Sequence, residues 1–173
     1  MNVLQTERLK LRQFELGDEP FVMALLNDAS FLRFIGDKGV RTLDDATEYL
    51  RSGPMASYLE HGYGLFHVAD RASGESAGMC GLLQRAGYPY ADVGFAFMPE
   101  YQSKGIAFEA ATTILDYGHE QLDMRIIDAF VDPANERSIK LLVRLGMDYL
   151  GRVKVAGVGG DEQCLYRIER RPV

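Results

Sequence analysis

At 173 residues the chain is long enough to bury one sizeable core, and 47% hydrophobic with 25% charged residues excludes a disordered or fibrous make-up. The formal net charge of −6 argues against a nucleic-acid partner, because neutralising phosphates needs a basic surface. It fits a cationic amine, and equally fits simple solubility. The longest apolar run, residues 21–26, falls far short of the about 20 residues of a membrane-spanning helix. The first residues lack the basic-then-apolar order of a secretion signal, so a cytoplasmic protein without a membrane partner is expected.

In chain order, the pattern predicts a strand over 9–14, then a helix opened by Asp18 as N-cap with Pro20 in its first turn. Phe21, Leu25 and Leu26 supply its apolar face. A second helix begins at Thr42, with Asp45 favouring its N-terminal dipole, and Pro54 is expected to cut it into two pieces. Strands over 64–70 and 75–84 form a hairpin through Ala72-Ser73-Gly74. A strand over 90–98, a long helix over 103–121 and a strand over 125–131 follow. A helix over 135–145 stops at Gly146, which suits a left-handed cap. Strands over 148–155 and 163–169 flank a glycine loop, 156–161, read as a hairpin turn. The order describes an α/β chain of one domain, 1–173, with a mixed sheet of about seven strands and helices on its faces.

Cys80 and Cys164 lie in apolar, strand-like stretches outside any metal-ligand spacing, and read as buried thiols. His61, His67 and His119 are dispersed, so no metal is expected.

The segment from Pro99 through Gln102, Ser103, Lys104, Gly105 and Ile106 to Ala107 joins a strand to the long helix. A helix start presents unpaired N–H groups and about half a positive charge, which suits a pyrophosphate. Gly105 permits close approach, Ala107 keeps the wall low, and Ser103 and Lys104 offer further contacts. Gln102-x-x-Gly105-x-Ala107 is similar to the Q/R-x-x-G-x-G/A signature of the GNAT acyltransferases, whose loop holds the pyrophosphate of coenzyme A. Asn135-Glu136-Arg137-Ser138, with Leu145-Gly146-Met147 at the far end of its helix, resembles the same family's N-x-x-S/A…L-G-F pattern. There the Asn bonds the pantetheine arm with the Ser nearby; a plain N-cap and a first-turn polar residue are the alternatives. Lys140 and Arg144 reach a cofactor phosphate or are solvated helix charges. Thr6-Glu7-Arg8-Leu9-x-Leu11-Arg12 and Ser73-Gly74-Glu75-x-x-Gly78-x-x-Gly81-Leu82 resemble the Rim-type branch, the ribosomal-protein N-terminal acetyltransferases.

The resemblance implies a mostly antiparallel sheet splayed in the middle, between strands 90–98 and 125–131, with a β-bulge as the usual cause. Acetyl-CoA would enter the gap, and backbone groups near Phe97 and Met98 would bind its amides and polarise the thioester. An acetyl group then passes to a primary amine, protein N-terminal or small-molecule, by direct attack without a protein nucleophile. Asp92 stands where Rim-type relatives often carry Glu, and is the candidate base, directly or through water; structural pairing within the sheet is the alternative. Glu100 is a second candidate. Leu142 occupies the position of the tyrosine that many members use as acid, while Tyr101 and Tyr117 read as packing residues. The acceptor site is expected around 31–36 and Gly157. A non-catalytic acyl-CoA sensor is the competing function, and a monomer or homodimer is expected.

Overall fold

The computed structural model describes residues 3–156 and 162–170. The strands and helices are, in order, β1 Val3–Gln5, β2 Leu9–Gln13, α1 Glu19–Leu26, α2 Ala29–Phe34, α3 Leu43–Leu50, α4 Ala56–His61, β3 Leu65–Asp70, β4 Ser76–Leu83, β5 Asp92–Phe97, α5 Ile106–Glu120, β6 Ile126–Val131, α6 Glu136–Arg144, β7 Asp148–Val153 and β8 Gln163–Glu169. They build one eight-stranded sheet in the order β1-β2-β3-β4-β5-β6-β8-β7. Every neighbouring pair is antiparallel except β5 with β6, which is parallel. The strand missing from the expected seven is β1, which pairs with β2 through Val3↔Arg12 to Gln5↔Lys10.

Alternation along the strands sends side chains to two cores. On β4, Cys80 and Leu82 face α5, whose Ala110, Ala111, Ile114 and Leu115 are buried with them. Met79 and Leu65 face the opposite layer, where Val22, Leu25, Leu26 and Phe31 of α1 and α2 pack with Ala46 and Leu50 of α3. Burying each such Leu or Ile is worth roughly 1.5–3 kcal/mol before the entropy of ordering it. Both cysteines are buried and unbonded. Tyr117 packs edge-on against Phe66.

Local chemistry explains where the elements begin. Thr42 and Asp45 form a reciprocal capping box at α3. Asp18 does not cap α1 with its side chain. Arg12, on the neighbouring strand, takes both of its oxygens at 2.8 and 2.7 Å, and a charged bidentate partner outcompetes a backbone N–H. An additional short helix, α2, is capped instead by Asp28, which accepts from the N–H of Ser30 at 2.9 Å. The two pieces expected around Pro54 are α3 and α4. A π-type turn over Arg51–Met55 carries the chain through, with the residues on either side in right-handed helical geometry. The wider turn accommodates the proline, which lacks a donor and crowds the preceding turn. The long helix starts at Ile106 rather than at Ser103, because Ser103 and Gly105 have φ of +59° and +75°. The glycine loop lies mostly outside the described residues.

Candidate active site

β5 and β6 touch at one register pair, Asp92↔Asp128, where the Asp128 N–H donates to the Ala91 carbonyl at 2.9 Å. Beyond it the parallel pairing stops, and a cleft opens between two half-sheets. No bulge produces it. β5 keeps unbroken register with β4 from Gly78↔Phe97 to Leu83↔Asp92, and β6 keeps its own with β8. Each strand is fully paired on its outer side.

Two arginine–carboxylate pairs fix the fork. Arg85 holds Asp92 through Nε and Nη2 at 2.8 and 3.0 Å, and lies over the ring of Phe130 on the other half-sheet, 5.6 Å from its centroid. Arg167 of β8 holds Asp128 at 2.7 and 3.0 Å, and lies over Tyr90 at 4.7 Å. Each guanidinium thus pairs within its own half and stacks on the other. Both carboxylates are 1% exposed, and pairs this buried are costly to break on one side. Burial pushes the Asp92 carboxyl up to about 6, against the pull of Arg85, with Asp128 adding to the rise. Asp92 is therefore structurally paired, by Arg85, and its carboxylate also lines a cavity.

Antiparallel alternation decides which backbone groups of β5 face the cleft. The Met98 N–H donates to Ala77 at 2.9 Å and its carbonyl accepts from Tyr101. Met98 is thus committed to β4 and the following turn, contrary to expectation, and the cleft-facing positions are Phe95 and Phe97. The Phe97 carbonyl accepts from Gln102 Nε2 at 2.8 Å, which ties the loop to the strand.

The loop itself is built from the backbone. Left-handed Ser103 and Gly105 flank Lys104, a conformation that turns successive N–H groups toward one side ahead of the α5 N-terminus. The amino-terminal segment clamps it. Arg8 donates from Nη1 to the Lys104 carbonyl at 2.9 Å and from Nε to Glu109 in the first turn of α5 at 2.6 Å. Thr6 also bonds Glu109 through its hydroxyl. This gives the Thr6-Glu7-Arg8 motif a physical role that its position in the sequence did not reveal.

A cavity of about 320 Å³ runs along this loop, lined by Phe97, Gln102, Ser103, Gly105, Ala107 and the start of α6. Lys104 is exposed outside it, and the Ile106 side chain is buried in the core, leaving only its backbone near the helix start. Opposite the loop, Arg137, Lys140 and Arg144 line the cavity from α6. Their spacing of three and four residues puts them on one helix face, a signal present in the sequence. Arg144 rests on the Phe108 ring, 3.9 Å from its centroid. Asn135 caps α6 through its carbonyl, which accepts from the Ser138 N–H at 3.2 Å, and its amide nitrogen has no protein partner among the described residues.

A second cavity, about 490 Å³, lies on the other side of this junction. The two share Phe31, Phe34, Ile35, Phe95, Asn135 and Ser138 as walls, so three of the residues in 31–36 face both cavities. Asp92, Arg85 and Leu142 line the second cavity, with Lys38, Tyr49, Glu60 and His61 from the α2–α4 layer. Nothing local in the sequence marks this last group, which comes from separate segments. Leu142 is 1% exposed and brings no acid there. Burial pushes the Tyr49 hydroxyl up to about 12. Glu100 is exposed and lines neither cavity, so it drops out as a base. No group of metal-ligating residues is found, and no helix is long and apolar enough to cross a membrane, among the described residues.

The sheet thus splits between β5 and β6, and a left-handed loop opens α5 beside the split. Residues 8–148 match a family described as the acetyltransferase (GNAT) domain, and the chain belongs to that family: it is an acyl-CoA-dependent N-acetyltransferase. The N-acetyltransferase YnaD of Bacillus subtilis strain 168, uncharacterised, is 29% identical over 159 residues, 92% of this chain and 90% of its own. Spermidine N(1)-acetyltransferase of Escherichia coli K12 is 27% identical over 146 residues, covering 84% of this chain and 75% of that one. The ribosomal α-N-protein acetyltransferase RimL, solved with coenzyme A, superposes with a TM-score of 0.82 over 97% of this chain and 98% of its own. At 16% identity that last likeness is one of fold.

Proposed function

We propose that acetyl-CoA occupies the smaller cavity, that the acceptor amine enters through the larger one, and that the two meet at Phe95, Asn135 and Ser138. The observation that carries this reading is the pair of cavities sharing that wall, one of them faced by a left-handed N–H loop and three cations. Such a cleft fits a polyanionic cosubstrate with a long neutral arm.

Acetyl-CoA supplies the activated acetyl group. Backbone N–H groups at Ser103, Gly105, Ile106 and Ala107 hold its pyrophosphate, with Gln102 fixing the loop and Arg137, Lys140 and Arg144 closing the charge from α6. The Asn135 amide and Ser138 hydroxyl steady the neutral arm. The cleft-facing backbone of Phe95 and Phe97 polarises the carbonyl under attack, where fixed donors act without reorganisation. Asp92 accepts the amine proton through water. With its carboxyl near 6, Asp92 takes a proton more readily from an α-amino group of pKa about 7.7–8.0 than from a lysine near 10.4. The thiolate leaves toward solvent, since Leu142 provides no proton. Within this reading the protein works in the cytoplasm as one domain over residues 1–173, monomeric or homodimeric, without nucleic-acid or membrane partners.

Thiol release from acetyl-CoA across a panel of primary amines tests the reading. Amine-dependent release, lost in Asp92→Asn, supports it. Binding of acetyl-CoA with no release for any amine would replace it with the acyl-CoA sensor, to which the buried Leu142 alone points.

A further inference from the structure

The two carboxylates at the fork stand closer together than a sheet built for stability alone would place them. Asp92 and Asp128 are the register pair that joins β5 to β6, so they project from the same face of strands about 4.7–4.9 Å apart. Both are buried. Like charges set opposite each other on neighbouring strands destabilise a sheet, and burial strengthens the repulsion. Neither arginine relieves it by bridging the two. Arg85 bonds Asp92, and Arg167 bonds Asp128 from its register position on β8.

Asp128 lines neither cavity, and it is held still. Arg167 grips it with two bonds and rests on the Tyr90 ring, two residues ahead of Asp92. The reciprocal contact of Arg85 with Phe130 ties β5 to β6 a second time. The other titratable groups around Asp92 are placed differently. Tyr63, ahead of β3, has its phenol raised by burial and then by the Asp92 charge. Lys38, Tyr49, Glu60, His61 and Asp132 face the same cavity from the loop after α2, from α3, from α4 and from the end of β6. None of them stands in register with Asp92. Burial raises the Asp92 carboxyl most, Arg85 opposes the rise, and Asp128 adds to it.

We infer that Asp128, held by Arg167, is a positioning residue for the transfer step: from one strand away, its charge sets how readily Asp92 takes the amine proton. The inference rests on Asp92 being the base. It also accounts for a repulsive pair at the junction of the two half-sheets, where stability alone gives no reason for one.

The test uses the full chain as wild type, Asp128→Asn, Asp128→Glu and the double variant Asp128→Asn/Arg167→Gln. The double variant leaves neither partner as an unmatched buried charge, so it decides the matter where the single one does not fold. Two readouts are taken: the pH profile of kcat by thiol release, and the titration of the Asp92 carboxyl carbon by NMR without substrates. Removing a neighbouring negative charge favours the ionised Asp92. Asp128→Asn is therefore expected to move the acid limb and the carboxyl titration down by about one pH unit. The double variant should move the same way, because Asp128 lies one strand from Asp92 and Arg167 two. Asp128→Glu keeps the charge and should keep the limb. A merely structural role would lower the rate at every pH and leave the limb in place. An unmoved limb and titration in a folded Asp128→Asn or double variant, or a limb moved as far by Asp128→Glu, would overturn the inference. A wild type with no acid limb would instead remove Asp92 as base. The carboxyl titration, which needs no turnover, tells that failure from an absent coupling.

Discussion

The two cavities that meet at Phe95 are built from different material. The smaller takes its character from the backbone: left-handed Ser103 and Gly105, the start of α5, and the strand positions left over where β5 parts from β6. The larger takes its character from side chains sent in by distant segments, among them Lys38, Tyr49, Arg85 and Asp92. A backbone site tolerates change in most of the residues around it and keeps its ligand. A side-chain site changes its ligand with single substitutions. The contrast fits an enzyme that shares its acyl donor with its relatives and selects its own acceptor.

Perturbing the two sides should therefore give separable kinetics. The largest effect is expected on the chemistry side. Asp92→Asn should lower kcat by about 10²–10⁴-fold, the range for removing a general base, with acetyl-CoA affinity retained. The wild-type rate should fall as pH drops through about 6, because the protonated carboxyl no longer accepts a proton; that acid limb should vanish in the variant. A pH–rate profile for both proteins checks the point.

On the cofactor side, Arg8→Ala removes the clamp on Lys104 and Glu109. It should raise KM for acetyl-CoA about ten-fold, with kcat nearly unchanged, since loop order but no reacting group is lost. Lys in place of Arg8 should restore only part, because a point charge cannot reach both partners. Smaller still, Arg144→Ala should raise that KM roughly three-fold, and added salt should narrow the gap as screening weakens the α6 cations. The smallest change calibrates the rest. Thr42→Ala breaks the α3 capping box and should cost about 1 kcal/mol in urea unfolding, with neither substrate's KM altered.

The same contrast explains what could be read from the sequence. Gln102, Gly105, Ala107 and Asn135 stand within a short stretch or at a helix start, where local geometry forces small or capping residues. Most strands showed themselves by alternation. β1 did not, since Val3-Leu4-Gln5 is too short and too exposed to carry a pattern. Asp18 misled as an N-cap because its partner, Arg12, is supplied by tertiary structure. The expected bulge was unnecessary, as two strands each paired on their outer sides can simply diverge. Lys38, Tyr49 and Glu60 escaped notice because nothing local marks them: only the fold brings α2, α3 and α4 to one wall. The sequence offers Lys140 and Arg144 as phosphate contacts or solvated helix charges; that Arg137 shares their face follows from the three- and four-residue spacing, and only the fold shows that all three border one cleft.

Calorimetric titration of acetyl-CoA into wild type and Gly105→Glu tests most directly whether the loop at Gly105 holds the cofactor. The substitution puts a side chain at φ +75° and a carboxylate where the loop N–H groups would face the phosphates, and like-charge repulsion there should weaken binding about 100-fold. Saturable wild-type binding is expected, weakened by that factor in a variant still folded by circular dichroism. Absence of binding in the wild type, or undiminished binding in Gly105→Glu, would contradict it.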